Sequence, residues 1–216
     1  MTPSNSLHRA LHTAGDPPLR PLPAPVAELL GSLAAPPRLA AHLRAVHDVA
    51  VRLVDWLEQH CPGLDVDRDA VLFGAATHDI GKTVHVAELS GPGSAHEEAG
   101  RELLLAHGFG PALARFAGTH ASWTAPDATV EDLLVSTADK VWKNKRVPEL
   151  EDLLLVRLTQ ASGRERWEEY LALDELLGDI GDGADHRLAF QAAFPVSAEE
   201  RVGTAGGPAD RSPAGR

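Results

Sequence analysis

The stretch Ala75-Ala76-Thr77-His78-Asp79-Ile80-Gly81-Lys82 places a histidine and an aspartate side by side at the end of a run that carries no charge. Apolar side chains precede the pair, so His78 and Asp79 are both expected to be buried. A buried carboxylate beside an imidazole costs free energy unless a partner replaces the lost water. A metal ion is such a partner, because imidazole and carboxylate are both ligands for Zn, Fe, Mn or Ni. The stretch therefore raises the question whether further ligands occur elsewhere in the chain.

Composition limits the classes of protein that the chain can belong to. Its 216 residues, 44% of them hydrophobic, are enough for one domain with a sizeable core. The formal net charge is −11, and an acidic surface repels phosphate backbones, so nucleic-acid binding is disfavoured. Cys61 is the sole cysteine, which excludes an internal disulfide and favours a reducing compartment. With neither an apolar run long enough to cross a membrane nor a signal-peptide core, we expect a cytoplasmic protein with no membrane partner.

Apolar residues recur at helical spacing along most of the chain, and no β-strand pattern rises above noise. The clearest helix is predicted over Arg38–Gln59, where the apolar residues form one stripe. His47 falls on the edge of that stripe, whereas His42 is interpreted as a surface residue. The predicted fold class is an all-α, single globular bundle of roughly seven to nine helices. The other predicted helices are Val26–Leu33, Val71–His78, Ala95–His107, Pro111–His120, Val130–Lys143, Leu150–Ala161, Arg164–Ile180 and His186–Phe194.

The ends of the chain differ in composition from the middle. Residues 1–25 contain five prolines between Pro17 and Pro25 and are predicted to be an irregular lead-in. Residues 26–194 form the predicted helical domain. Residues 195–216 are rich in Gly, Ala, Pro, Ser and Arg, so a disordered tail is expected there.

Five predicted helices each place a candidate metal ligand in the core. Because these further ligands accompany it, the His-Asp pair becomes evidence for a metal site. A site for two ions needs about six nitrogen and oxygen ligands with one carboxylate shared between the ions, and helices hold such ligands rigidly in a bundle. Any one of these histidines could equally be a satisfied core residue. As an ordered set on apolar faces, they predict a dinuclear metal site. The candidates are His47, His78, Asp79, His96, His120 and Asp139.

The ordered set resembles the HD superfamily of metal-dependent phosphohydrolases. His47, the His78-Asp79 pair and Asp139 follow one another on separate predicted helices, as the metal ligands of that superfamily do. The segment from His78 to Lys82 has the HDIG form of its motif. The Gly-Tyr-Pro signature of the cyclic-di-GMP phosphodiesterase branch is absent after Lys82, which counts against that activity.

The two additional histidines are similar to the dinuclear branches of the superfamily. His96 is followed by Gly100, and His120 by Ala-Ser, as in bacterial symmetrical diadenosine tetraphosphatases, to which the chain has its nearest resemblance. Ala138-Asp139, with Arg146 beyond it, fits the same branch. The resemblance covers roughly residues 35–146.

The resemblance implies a hydrolase that cleaves a phosphoester or phosphoanhydride of a nucleotide-like substrate with a metal-activated water. It implies that Asp79 bridges two divalent ions and that Asp79 and Lys82 are catalytic. Lys82 and Arg146 would contact the substrate phosphate. For Lys82 a helix-end lysine is an equal alternative, and for Arg146 a solvated helix end is the plainer interpretation. Fe or Mn would be the preferred ions, with Zn, Co or Ni as alternatives.

Two other functions remain open from the sequence. A non-catalytic helical module could use the same ligands to bind a metal or a nucleotide as a regulator. A dinuclear oxygenase could be built on the same fold. Both alternatives keep the metal ligands and differ in the chemistry, so product analysis separates them from a hydrolase. The pattern leaves the oligomeric state open.

Overall fold

The computed structural model describes residues 5–196, and within that range every regular element is helical and no strand occurs. The prediction of an all-α bundle is therefore confirmed. The α-helices are α1 Asn5–His12, α2 Ala24–Ser32, α3 Pro37–His60, α4 Arg68–Thr77, α5 Ala95–Ala106, α6 Pro111–Thr119, α7 Val130–Val141, α8 Pro148–Ser162, α9 Arg166–Asp182 and α10 Ala184–Ala192, with 3₁₀ helices η1 Ile80–Thr83 and η2 Val86–Leu89 between α4 and α5.

Helix α3 is the axis of the bundle. Pro37 occupies its first turn, where the missing N–H of proline costs nothing, and the helix ends at His60 before Cys61-Pro62-Gly63. Most of its side chains are buried, and α1, α4, α7, α9 and α10 all pack against it. A helix that neighbours surround on nearly every side has no single buried face. This explains why one apolar stripe describes α3 incompletely.

The prolines of the N-terminal segment do not prevent it from forming structure. The expectation that residues 1–25 are irregular was wrong for Asn5–His12, which forms α1 and buries Leu7, Ala10 and Leu11. Arg44 of α3 is 2% exposed, and its guanidinium donates to the carbonyl oxygens of Ala10, Thr13 and Leu19 at 2.8–2.9 Å. The segment is therefore tied to the central helix by a buried charge.

Local capping agrees with the sequence at two of the helices that carry the core. The carboxylate of Asp67 accepts from the backbone N–H of Ala70 at 3.0 Å and caps α4. Thr129 and Asp132 form a reciprocal capping box at the start of α7. The tail predicted to be disordered, 195–216, lies outside the described residues except for Pro195 and Val196.

Two glycines let η1 approach α5 closely. A Cβ at Gly81 would lie 1.9 Å from the carbonyl oxygen of His96, and a Cβ at Gly100 would lie 3.0 Å from Ala117 Cβ and 3.1 Å from Gly81 N. Gly81 and Gly100 therefore leave room that a side chain would fill. In residues 5–196, no helix combines the length and the apolar character that a membrane crossing requires.

Candidate metal centre

Six buried histidine and aspartate side chains converge where α3, α4, α5, α6 and α7 meet. Each is at most 8% exposed. Two of them follow directly upon the last residues of α4 and α6, where the chain turns, and one precedes η1. We call the following residues the cluster: His42 on α3, His78 and Asp79 after α4, His96 in the first turn of α5, His120 after α6 and Asp139 on α7.

One ligand group of the cluster consists of His42, His78 and Asp139. Their ligand atoms lie within 4.8 Å of one another. His42 Nε2 lies 3.3 Å from His78 Nε2, and His78 Nε2 lies 3.4 Å from Asp139 Oδ1. Two imidazoles and a carboxylate at these spacings could hold a divalent ion.

The other ligand group consists of Asp79, His96 and His120, also within 4.8 Å. Asp79 Oδ1 lies 3.0 Å from His96 Nε2 and 3.7 Å from His120 Nε2. Its other oxygen, Oδ2, lies 3.2 Å from His42 Nε2 in the first group. The carboxylate of Asp79 thus presents one oxygen to each group, as a carboxylate shared by two ions would.

Hydrogen bonds at the far side of three rings prepare their Nε2 atoms to act as ligands. His78 Nδ1 donates to the carbonyl of Ala75 at 3.0 Å, and His120 Nδ1 donates to the carbonyl of Ala117 at 3.1 Å. A carbonyl oxygen only accepts, so the proton is on Nδ1 and the lone pair is on Nε2. His96 Nδ1 is paired with a carboxylate in the same way.

Two buried acceptor atoms test whether the residues suit a metal. Asp79 Oδ1 and His96 Nε2 are buried, and neither has a hydrogen-bond partner of acceptable geometry. The two atoms face each other at 3.0 Å. Two lone pairs at that distance repel unless a proton or a cation binds to them. The donor set of imidazole nitrogen and carboxylate oxygen therefore fits a divalent transition metal.

The electrostatics of the cluster keep its carboxylates ionised. Burial opposes ionisation of Asp79, but the neighbouring imidazoles of His78, His42 and His96 hold its pKa well below the usual range. Burial also opposes ionisation of Asp139, but the neighbouring imidazole of His78 lowers its pKa nonetheless. Burial lowers the pKa of His120 to about 4 and lowers that of His42. Both of these rings are neutral at pH 7, which is the form that binds a metal.

The structure brings His42 to the cluster, and His47 lies elsewhere. His47 is buried too, but five residues further along α3 it points about 140° away around the helix axis. Burial lowers its pKa to about 4, and the charges that act on it come from Asp48, Arg20 and Arg44. The interpretation of His42 as a surface residue was wrong, since α3 is buried on nearly all sides.

The sequence did carry a signal for His42. It lies three residues after Leu39 and four before Val46, and both belong to the apolar stripe that was used to place His47. The ring also packs edge-on against Trp142, with ring centroids 4.9 Å apart. His47 meets the same criterion, since it lies four residues after Leu43 and three before Ala50, so the stripe alone does not choose between the two histidines.

Two lysines lie between the cluster and solvent. Lys82 Nζ is 2.6 Å from Asp79 Oδ2, and Lys140 Nζ is 2.6 Å from Asp139 Oδ2. Their side chains are 18% and 17% exposed, against 5% and 11% for the aspartates they contact. Lys140 also lies over the ring of Trp123, 5.4 Å from its centroid. Two cations at this opening would attract an anionic substrate.

Arg146, a candidate phosphate ligand in the sequence, is engaged elsewhere. Its Nε and Nη2 donate to the carboxylate of Glu151 at 2.8 and 2.7 Å, and Nη2 also donates to Asp174 at 2.9 Å. Its contacts among the described residues do not include the cluster. A phosphate role would require the guanidinium to leave two carboxylates, which makes a structural role the simpler interpretation.

Comparison with protein families identifies the domain around this cluster. The family model described as HD domain matches residues 39–142, and all six cluster residues fall inside that range. The chain carries an HD domain. No curated protein and no solved structure matches the chain.

The matched range contains both ligand groups. Its boundaries agree with the predicted motif core, 35–146, to within four residues at either end. An HD domain indicates a metal-dependent hydrolase in general terms, and the two ligand groups could hold the metal that such a hydrolase needs. Arg146 lies just outside the matched range.

Proposed function

We propose that this protein is a metal-dependent phosphohydrolase that cleaves a phosphoester or phosphoanhydride of a small, nucleotide-like substrate. His42, His78 and Asp139 would hold one divalent ion, and His96 and His120 a second, with Asp79 shared. Fe or Mn would suit this nitrogen and oxygen donor set, and Zn, Co or Ni would be alternatives. The bacterial symmetrical diadenosine tetraphosphatases remain the branch of the family that the sequence resembles most.

One observation carries the proposal: each oxygen of Asp79 faces a different group of buried imidazoles. A structural site for a single ion has no use for the second group. A helical module that only binds a regulator would also gain nothing from five further buried ligands, since burying polar groups without partners costs free energy. A shared carboxylate flanked by two ligand groups is what dinuclear hydrolytic chemistry requires.

In the reaction, the oxygen of a water bonds to phosphorus, the bond from phosphorus to the leaving oxygen breaks, and a proton goes to that oxygen. Bound divalent ions supply Lewis acidity and lower the pKa of water. The chain itself holds the ligands in place and keeps both carboxylates ionised. Lys82 is close enough to the cluster for its ammonium to stabilise charge on the phosphoryl oxygens.

The test combines metal content with turnover. We expect about two ions per chain after loading with Mn or Fe, and hydrolysis within a panel of nucleoside monophosphates, dinucleoside polyphosphates and sugar phosphates. Asp79→Ala should lose both the metal and the activity. Protein that binds no metal and turns over no substrate under Mn, Fe, Co, Ni or Zn would refute the proposal and favour a binding module.

A pair of histidine variants tests the ligand assignment. His42→Asn should lose one ion and most of the activity, because it removes one of the three ligands of the first group. His47→Asn on the same helix should keep both ions. If His47→Asn lost an ion and His42→Asn kept both, His47 would be the ligand, as the sequence predicts. A product that forms only in the presence of oxygen would instead indicate the dinuclear oxygenase.

A further inference from the structure

We propose that Glu88 is a positioning residue that controls whether the second ligand group, Asp79 with His96 and His120, takes up its ion. The inference rests on the proposed function above and adds a residue that belongs to neither ligand group. Glu88 lies in η2, and its Oε2 is 2.5 Å from Nδ1 of His96. It acts on the metal site through the ring of His96.

One carboxylate holds both the backbone and the ring of this histidine. Glu88 Oε1 accepts from the backbone N–H of Ala95 at 3.2 Å, and Oε2 accepts from the backbone N–H of His96 at 3.2 Å. Ser94, the residue immediately before α5, makes no side-chain cap hydrogen bond. Glu88 therefore caps α5 from a distance and fixes the ring of His96 at the same time.

The bond to Nδ1 determines which ring nitrogen can serve as the ligand. With the Nδ1 proton held by Glu88, the lone pair of His96 is on Nε2, which faces Asp79 Oδ1. His78 and His120 obtain the same orientation from backbone carbonyls. A side-chain substitution can therefore remove the orienting acceptor from His96 but not from those two.

The loop that follows η2 confines the carboxylate. A Cβ added to Gly93 would lie 2.3 Å from Glu88 Oε1, 2.5 Å from Cδ and 2.8 Å from Cγ. No side chain larger than hydrogen fits there unless Glu88 moves. The glycine thus leaves just enough space for Glu88 to reach the start of α5.

Glutamine cannot replace Glu88, although it has the same shape. The two oxygens of Glu88 accept from three N–H groups, whereas an amide accepts at one end and donates at the other. If the amide oxygen faces His96, the NH₂ meets the N–H of Ala95, which is also a donor. If the amide is reversed, the NH₂ faces Nδ1 and moves the ring proton to Nε2, where it blocks the ligand position.

The experiment counts bound ions without using activity. Free Mn²⁺ is followed by electron paramagnetic resonance during titration of the full chain, for wild type, Glu88→Gln and Glu98→Gln. Glu98 is the matched control, because it lies in the first turn of α5, is exposed and pairs with Arg101. We expect Glu88→Gln to bind the second ion roughly 10–100-fold more weakly and the first ion normally. Glu98→Gln should match the wild type.

Two glycine variants test the geometry with the charge of Glu88 intact. Gly93→Ala should displace the carboxylate and weaken the second ion as Glu88→Gln does. Gly91→Ala is its control, since the nearest atom to an added Cβ there is Ala87 O at 3.4 Å. His96→Asn provides the reference titration for loss of the second group.

The outcomes separate this inference from the proposed function. Wild type with two ions and Glu88→Gln with two ions of unchanged affinity would overturn the inference alone. An equal weakening of both ions, together with a lower melting temperature of the metal-free protein, would reduce Glu88 to a helix cap and would also overturn it. Wild type that takes up no second ion would overturn the dinuclear function and the inference with it.

Discussion

Replacing Gly81 with alanine is expected to separate η1 from α5 and to disturb ligands on both. The added Cβ would lie 1.9 Å from His96 O and 2.6 Å from Gly100 N. Both are backbone atoms, so no side-chain rotation relieves the clash, and the two segments must move apart by roughly 1 Å. Overpacking costs about 1–3 kcal/mol. We expect the upper end, about 3 kcal/mol, because rigid backbone stands on both sides.

Two other glycines turn this substitution into a graded series. Gly100→Ala should cost about 1 kcal/mol, because its Cβ would lie 3.0 Å from Ala117 Cβ and a small adjustment suffices. Gly178 lies in α9 with no atom within 4 Å of an added Cβ. Gly178→Ala should therefore raise the free energy of unfolding by about 0.5–1 kcal/mol through the higher helix propensity of alanine.

Urea unfolding of the metal-free proteins at 25 °C measures the series, with unchanged m-values as the condition for comparing them. A Mn²⁺ titration of the same samples should show that Gly81→Ala loses the second ion and Gly178→Ala keeps both. A loss smaller than about 0.5 kcal/mol for Gly81→Ala would refute the reasoning from close backbone approach. If Gly178→Ala lowered the free energy of unfolding, this would refute the assumption that the distance to the nearest atom decides whether alanine stabilises or destabilises the protein.

Three further predictions concern pH, metal and Arg146. The folded-state pKa of His47, about 4, lies below its ordinary 6.5, so the free energy of unfolding should fall as the pH drops from 6.5 through 4. His47→Gln should remove the part of that pH dependence that His47 contributes, about 3 kcal/mol, in acid unfolding of the metal-free chain. Mn²⁺ at about 100 times its dissociation constant should raise stability by about 2.7 kcal/mol per ion, measured by thermal unfolding, and Asp79→Ala should abolish most of this. Arg146→Ala should lower the free energy of unfolding by about 1 kcal/mol in urea and leave KM unchanged; a raised KM would return Arg146 to the substrate site.

Periodicity was enough to predict the helices from α2 onward, because each carries apolar residues at helical spacing. The predicted Pro111–His120 differs from the observed Pro111–Thr119 by a single residue. Periodicity failed for α3, where neighbours on nearly every side bury polar and apolar residues alike. It could not decide whether His42 or His47 is the metal ligand, since both are buried. They differ in the side chains that surround them: His42 lies beside His78 and Asp139, and His47 does not.

Contacts between distant residues were beyond the sequence for a different reason. Ser94 immediately precedes α5, and capping rules that consider only adjacent residues would select it as the cap. Glu88 supplies the cap from six residues further away, and only the path of the η2 loop brings it there.

The buried guanidinium of Arg44 sets the boundary of what can fold by itself. The family match begins at residue 39, yet the acceptors for Arg44 are carbonyls at positions 10, 13 and 19. A fragment trimmed to residues 39–142 would leave a cation inside the core without acceptors and would expose the surface that α1 covers. The unit recognised by family comparison is thus smaller than the cooperative unit. If this domain were transferred to another protein, the N-terminal segment that supplies the acceptors for Arg44 would have to be transferred with it.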